Sequence, residues 1–140
     1  MRLNHAFAGR EYPPTPPRRI EEHEIRSFAA VLGTPTTGGA APLAPATFAI
    51  VLSLPADDQV VRDPQLGLDY RRVLHREQSF VHHCPIRAGD VLTVRVRVAD
   101  VRSAGRREIL VTQAEIETVS GAPVCTVTTT LIVQPAGTPA

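Results

Sequence analysis

"LAPATFAIVLSLP", residues 43–55, is apolar on every side from Ala46 to Leu54 and is bracketed by Pro45 and Pro55. A segment of this kind is either a buried strand or a buried helix, since periodicity alone does not separate the two. Ala46, Ala49 and the proline at each end favour a helix that starts after Pro45 and stops at Pro55. A helix without a polar face belongs inside something. The rest of the chain must supply the wrapping.

Downstream, "VLTVRVRV" (91–98) puts Leu92, Val94, Val96 and Val98 on one face and Thr93, Arg95 and Arg97 on the other. "REILVTQAEIETV" (107–119) follows a Ser-Ala-Gly turn and "PVCTVTTTLIVQ" (123–134) follows a Ser-Gly turn, so the three segments read as an antiparallel meander. "HREQSFVHHCP" (75–85) is a fourth strand. The expected fold is α+β, an antiparallel sheet wrapped around the apolar helix. Upstream, the paired prolines of "GREYPPTPPRR" (9–19) hold an extended lead-in. In "IEEHEIRSFAAVLG" (20–33), Ile20, Glu24, Ile25, Phe28, Val31 and Leu32 fall at helical spacing, with Gly33 as the stop. The small-residue loop "TPTTGGAAPLAP" (34–45) joins that helix to the apolar one, and the tail "PAGTPA" (135–140) is expected to fray.

At 140 residues the chain suits a single domain, 1–140, with a core of about 7–134. A net charge of +1, with arginine interleaved among Asp and Glu, gives no basic stripe for a phosphate backbone, so nucleic acid is not an expected partner. No apolar run approaches membrane-spanning length. The first residues lack the apolar core of a signal peptide, and two cysteines, Cys84 and Cys125, fit free thiols in the cytoplasm.

Three histidines and one cysteine crowd into residues 75–85. By strand parity His75 and His83 share a face but stand about 26 Å apart, and His82 and Cys84 share the other. Zinc requires three or four ligands, and no second Cys/His pair occurs at metal spacing, so no metal and no cofactor is expected. His75, beside the polar Arg76-Glu77-Gln78 run, is read as lying at the mouth of a groove. No serine lies in a Gly-x-Ser-x-Gly elbow, and the absence of lysine excludes a phosphate-binding Gly-Lys-Ser/Thr loop. Asp57 and Asp58, just past the expected helix end, read as a solvated turn.

Three pieces, Ala-Pro-Ala-Thr-Phe at 44–48, Val-Leu-His-x-Glu-Gln-x-Phe at 73–80 and Pro-x-Arg-x-Gly-Asp-x-Leu at 85–92, resemble the MaoC-like dehydratases in their order and spacing. The likeness is to the N-terminal-type, FAS1-like branch that includes non-catalytic subunits of (3R)-hydroxyacyl-ACP dehydratases. The resemblance implies a hot-dog fold and an acyl-CoA or acyl-ACP thioester as ligand, with its tail beside the central helix and its carbonyl at backbone N–H groups of a helix start. It places substrate-binding roles on Ala44, Pro45, Ala46 and Thr47, with His75 approaching from the sheet. In active relatives an Asp and a His lie in a Gly-Asp-x-Asn-Pro-x-His-type loop between the helices. Here Thr34 stands where the Asp is expected, and no histidine occurs between His23 and His75, so no catalytic residue is assigned.

The resemblance therefore implies a degenerate subunit, forming a homodimer or a heterodimer with a catalytic hot-dog partner. The alternatives are an active hydratase with displaced residues such as His75, and a non-catalytic acyl-CoA binding module.

Overall fold

Alternating apolar positions zip into five strands, β1 (Arg18–Arg19), β2 (Val73–His82), β3 (Val91–Ala104), β4 (Arg107–Thr118) and β5 (Pro123–Val133). In the computed structural model, which describes residues 2–137, they form one antiparallel sheet ordered β1-β3-β4-β5-β2. The last three residues of the tail expected to fray lie outside the described residues. Leu92, Val94, Val96 and Val98 of β3 all face inward and are buried, as their period of two demands. Each such side chain contributes about 2 kcal/mol when taken out of water.

Against this concave face lies the apolar segment, a 3-10 turn at Ala46–Ala49 running directly into α2 (Ile50–Val61), numbered after α1 (Glu22–Leu32). Phe48, Ala49, Leu52, Ala56 and Val60 are buried. The helix does not stop at Pro55. It continues to Val61, because Leu52, Ala56 and Val60 extend the buried stripe at i, i+4 spacing past the proline. Pro55 cannot donate to the Val51 carbonyl, but it sits on the exposed flank, where solvent can replace the missing donor. The wrapping is also one-sided, since Leu54 on the outer flank is half exposed.

The helix α1 opens with a reciprocal capping box between Glu21 and Glu24 and ends at Gly33, whose φ of 74° is left-handed. Its buried stripe is Ile25 and Ala29, with Phe28 meeting Phe48 edge-to-face at 5.5 Å. Val31 is 89% exposed and Leu32 about half, so these two do not join the stripe the spacing predicted. Two residues beyond Ala29, Val31 is turned about 200° round the helix.

The proline-rich lead-in covers the outer side of β3, where the Tyr12 N–H donates to Val96 O at 3.0 Å and the Thr15 N–H to Val94 O at 2.9 Å. At the opposite edge β2 has no neighbour beyond β5 among the described residues. That edge carries exposed Leu74 and Val81.

Candidate functional site

The start of the apolar helical segment is held in place by the turn that precedes β3. The Ala44 N–H donates to Ile86 O at 2.7 Å and the Ala88 N–H to Pro42 O at 3.1 Å. Gly38 makes the preceding loop possible: its φ is +96°, and a Cβ there would lie 2.7 Å from the Ala41 oxygen. Thr34 is occupied elsewhere, its N–H closing on Ala29 O at 3.0 Å at the end of α1. Pro45 has no N–H to need a partner, and the first amide used in the turn is that of Phe48, to Pro45 O at 2.9 Å. The Ala46 and Thr47 amides have no acceptor among the described residues, which leaves two donors pointing out of the start of a sixteen-residue helical run, Ala46 to Val61.

His82 reaches this point from β2. Its Nε2 lies 2.7 Å from the Ala46 carbonyl oxygen, which can only accept, so Nε2 carries the proton and, in the neutral ring, Nδ1 holds the lone pair. His82 lines a cavity of about 390 Å³ with Ala44, Ala46, His83, Cys84, Pro85 and Ile86. None of these is an acid. The sequence alone does not announce this contact, because the partner of His82 is a backbone carbonyl 36 residues earlier.

A one-residue bulge explains which histidines face inward. The register pairs His75 with Leu131 but Glu77 with Thr130, so Arg76 is the extra residue and the parity flips. His75, Gln78, Phe80 and His82 therefore share the concave face, opposite inward-facing Leu131, Thr129, Val127 and Cys125. The expected pairing of His75 with His83 on one face does not occur. His83 instead meets Thr126 Oγ1 at 3.1 Å. The structure brings Ala44, Pro45, Ala46 and Thr47 together at the helix start but places His75 at the other end of β2, about 20 Å from His82 along the strand.

His75 faces the trailing half of α2, where Asp57 is buried, at 8% exposure, instead of lying in a solvated turn. Asp57 accepts hydrogen bonds from Thr112 Oγ1 at 3.0 Å and Thr129 Oγ1 at 3.3 Å, and Gln78 Nε2 donates to Thr129 Oγ1 at 2.9 Å. Burial pushes the Asp57 carboxyl up to about 6, against the two threonine hydrogen bonds. The Asp58 charge adds to the rise, and His75 acts weakly the other way. Asp57 lies ten residues beyond Thr47, about 15 Å along the axis, so this acid and the free amides do not converge.

A larger cavity, about 560 Å³, lies on the other flank of α2, between Val51, Pro55 and Gln59 and the prolines of the lead-in. Its one charged lining residue, Arg18, is paired with Glu24. The smaller cavity at the helix start is the better site, because it brings the free Ala46 amide together with His82. Among the described residues no three His, Cys, Asp or Glu side chains gather at metal-binding spacing, and no helix is long and apolar enough to cross a membrane.

A curled antiparallel sheet on a central helix, with unpaired donors at the helix start, is the hot-dog arrangement, and the family model for the FAS1-like dehydratase domain region matches residues 6–127. The chain belongs to this FAS1-like dehydratase family. Similar proteins include a UPF0336 protein of Saccharopolyspora erythraea, 44% identical over 94% of this chain and 92% of its own length. Another, from Streptomyces avermitilis, is 37% identical over 97% and 98%. Among solved structures, the HadBC (3R)-hydroxyacyl-ACP dehydratase complex of Mycobacterium tuberculosis matches with a TM-score of 0.76 at 24% identity, over 90% of this chain and 96% of that one. A MaoC-like dehydratase gives 0.79 at 22%, over 94% of this chain and 43% of that one. The ChsH1–ChsH2 complex of Mycobacterium tuberculosis gives 0.65 at 14%, over 89% and 91%. At these identities the structures share a hot-dog fold with this FAS1-like domain.

Proposed function

We propose that this FAS1-like hot-dog chain is a catalytically degenerate subunit of a cytoplasmic (3R)-hydroxyacyl-thioester dehydratase or enoyl hydratase. It pairs with itself or with a hot-dog subunit carrying the acid and base, and it lends that partner an acyl-thioester site. The ligand is an acyl-CoA or acyl-ACP thioester with its carbonyl at Ala44, Pro45, Ala46 and Thr47 and its tail directed along α2 toward His75.

The observation that carries this reading is the helix start and the cavity beside it: the free amides of Ala46 and Thr47, His82 and His83, and no acid in the lining. Free amides stabilise the negative charge that develops on a thioester oxygen as the α proton leaves. His82 Nδ1 can hold such a proton, but loss of water also requires a group to protonate the departing hydroxyl, and the buried acid of α2, Asp57, lies too far along the helix. The free edge of β2, with Leu74 and Val81 exposed on it, supports pairing with a second chain. Hot-dog neighbours solved as two-component complexes, HadBC and ChsH1–ChsH2, support it as well.

Light scattering at micromolar concentration should give at least a dimeric mass, and the chain alone should bind an enoyl thioester without hydrating it. A monomer that binds no thioester would overturn the reading. The position of His82 favours a second reading, a self-sufficient hydratase. Turnover by the chain alone that disappears in His82→Ala would establish it, and loss in His75→Ala would point to the other end of β2. Binding without turnover in the presence of any motif-bearing hot-dog partner would leave a non-catalytic acyl-CoA binding module.

A further inference from the structure

Along the inner face of β2 and the adjoining flank of α2 runs a path with a cavity at each end. At the helix start is the 390 Å³ space beside His82, and at the helix end a space of about 320 Å³ is lined by Asp58, Val61, Arg62 and Tyr70. Between them β2 offers Phe80, partly buried against the core, and then, two residues nearer the strand start, Gln78. On α2 the half-exposed Leu54 precedes buried Asp57. The side chains along this path therefore change character, from apolar at Phe80 and Leu54 to polar at Asp57, Gln78, Thr112 and Thr129. Those four side chains come from four different elements and are joined by hydrogen bonds into one cluster.

We propose that this cluster is the end stop of the acyl path, limiting the thioesters bound at the helix start to chains of about ten to twelve carbons. The proposal rests on the reading that the thioester carbonyl sits at Ala46 and Thr47. From Thr47 to Asp57 the helix advances about 15 Å, roughly the length of such a chain. A methyl terminus pushed further would strip the remaining solvent from a carboxyl whose only partners are two hydroxyls, with no offsetting bond. Two groups that titrate or carry charge face Asp57: Asp58 on its own helix and His75 on β2, while the β4 and β5 partners are neutral threonines. Because burial holds the carboxyl near 6, the stop is charged at pH 7.5 and neutral at pH 5, so acid should soften it.

The test is a binding series of saturated acyl-CoAs from four to sixteen carbons, measured by calorimetry on the full-length chain at pH 7.5 and pH 5. Affinity should rise by up to about fourfold per added methylene and then level off near ten to twelve carbons at pH 7.5. In Asp57→Val the rise should continue to sixteen carbons. In Asp57→Asn, which keeps the shape and both threonine contacts, the plateau should become independent of pH. Thioesters that bind with a plateau unmoved in both variants, or with no plateau in the unaltered chain, would overturn the end stop while leaving the site intact. Failure of every chain length to bind would instead overturn the placement of the thioester, and the end stop with it.

Discussion

Replacing Asp57 by Asn isolates the energetic cost of a buried carboxyl. Asp57 is 8% exposed, and burial raises it to about 6, whereas an aspartate in an unfolded chain titrates near 4. The folded state thus holds the proton more tightly than the unfolded state. The resulting stabilisation is fully present below pH 4 and is lost as pH rises through 6. A gap of about two pH units corresponds to about 3 kcal/mol in total, of which about 1.4 kcal/mol falls between pH 5 and pH 7.5. Asn has the same shape, its oxygen accepts from one threonine, and its amide can donate to the other once that hydroxyl rotates. Urea denaturation of both proteins at pH 5 and pH 7.5, at one fixed protein concentration, supplies four free energies. Subtracting the two pH-induced changes cancels every other titrating group. The unaltered protein should lose about 1.4 kcal/mol more than the variant on going to pH 7.5. A stability difference that does not move between the two pH values would refute the assignment of a raised, buried Asp57.

Other consequences can be checked one by one. Phe48→Ala removes a buried ring packed edge-to-face on Phe28 and should cost about 3 to 5 kcal/mol by the same denaturation measurement. The Cys125 thiol is fully buried and pushed up to about 11 by desolvation, while Cys84 is exposed, so a thiol reagent at pH 8 should titrate one cysteine in the native protein and two after unfolding. His82→Ala deletes the contact that fixes the Ala46 carbonyl, and calorimetry should show thioester affinity falling about tenfold, an amount expected from one hydrogen bond. His82→Asn, whose shorter amide keeps a donor, should recover part of that loss if a donor alone is needed.

The parts of this structure that were legible in its sequence are those where neighbours along the chain report the environment. Valines at every second position of β3 face the helix because each residue's orientation is fixed by the one before it, and Gly33 ends α1 because the turn needs a left-handed residue there. The free amides at Ala46 and Thr47 follow from a proline followed by a helix start, again a local matter. Structure departs from local sequence signals where partners far along the chain outweigh them. Pro55 is a strong breaker, yet the buried stripe of Leu52, Ala56 and Val60 supports the helix through it, and that continuity was present in the sequence at i, i+4 spacing. Two adjacent aspartates after a proline look like a turn, but Asp57 finds Thr112 and Thr129, which lie 55 and 72 residues later on two different strands. Nothing near position 57 could announce them.

The histidines show how far one extra residue can carry. Without the bulge at Arg76, strict alternation from His82 back along β2 would turn His75 to the convex side, away from Asp57. With it, a single strand presents one histidine to each end of the central helix, and the two ends then differ only in what the helix brings to meet them. At the start the helix brings free amides and no acid. At the end it brings a buried acid and no free amides. Acyl-thioester chemistry needs base, acid and oxyanion donors at one point, so the same strand register that makes both histidines available also keeps the three requirements apart. This separation, more than the absence of a loop motif, is the physical argument behind the proposal that a second subunit supplies what this site lacks.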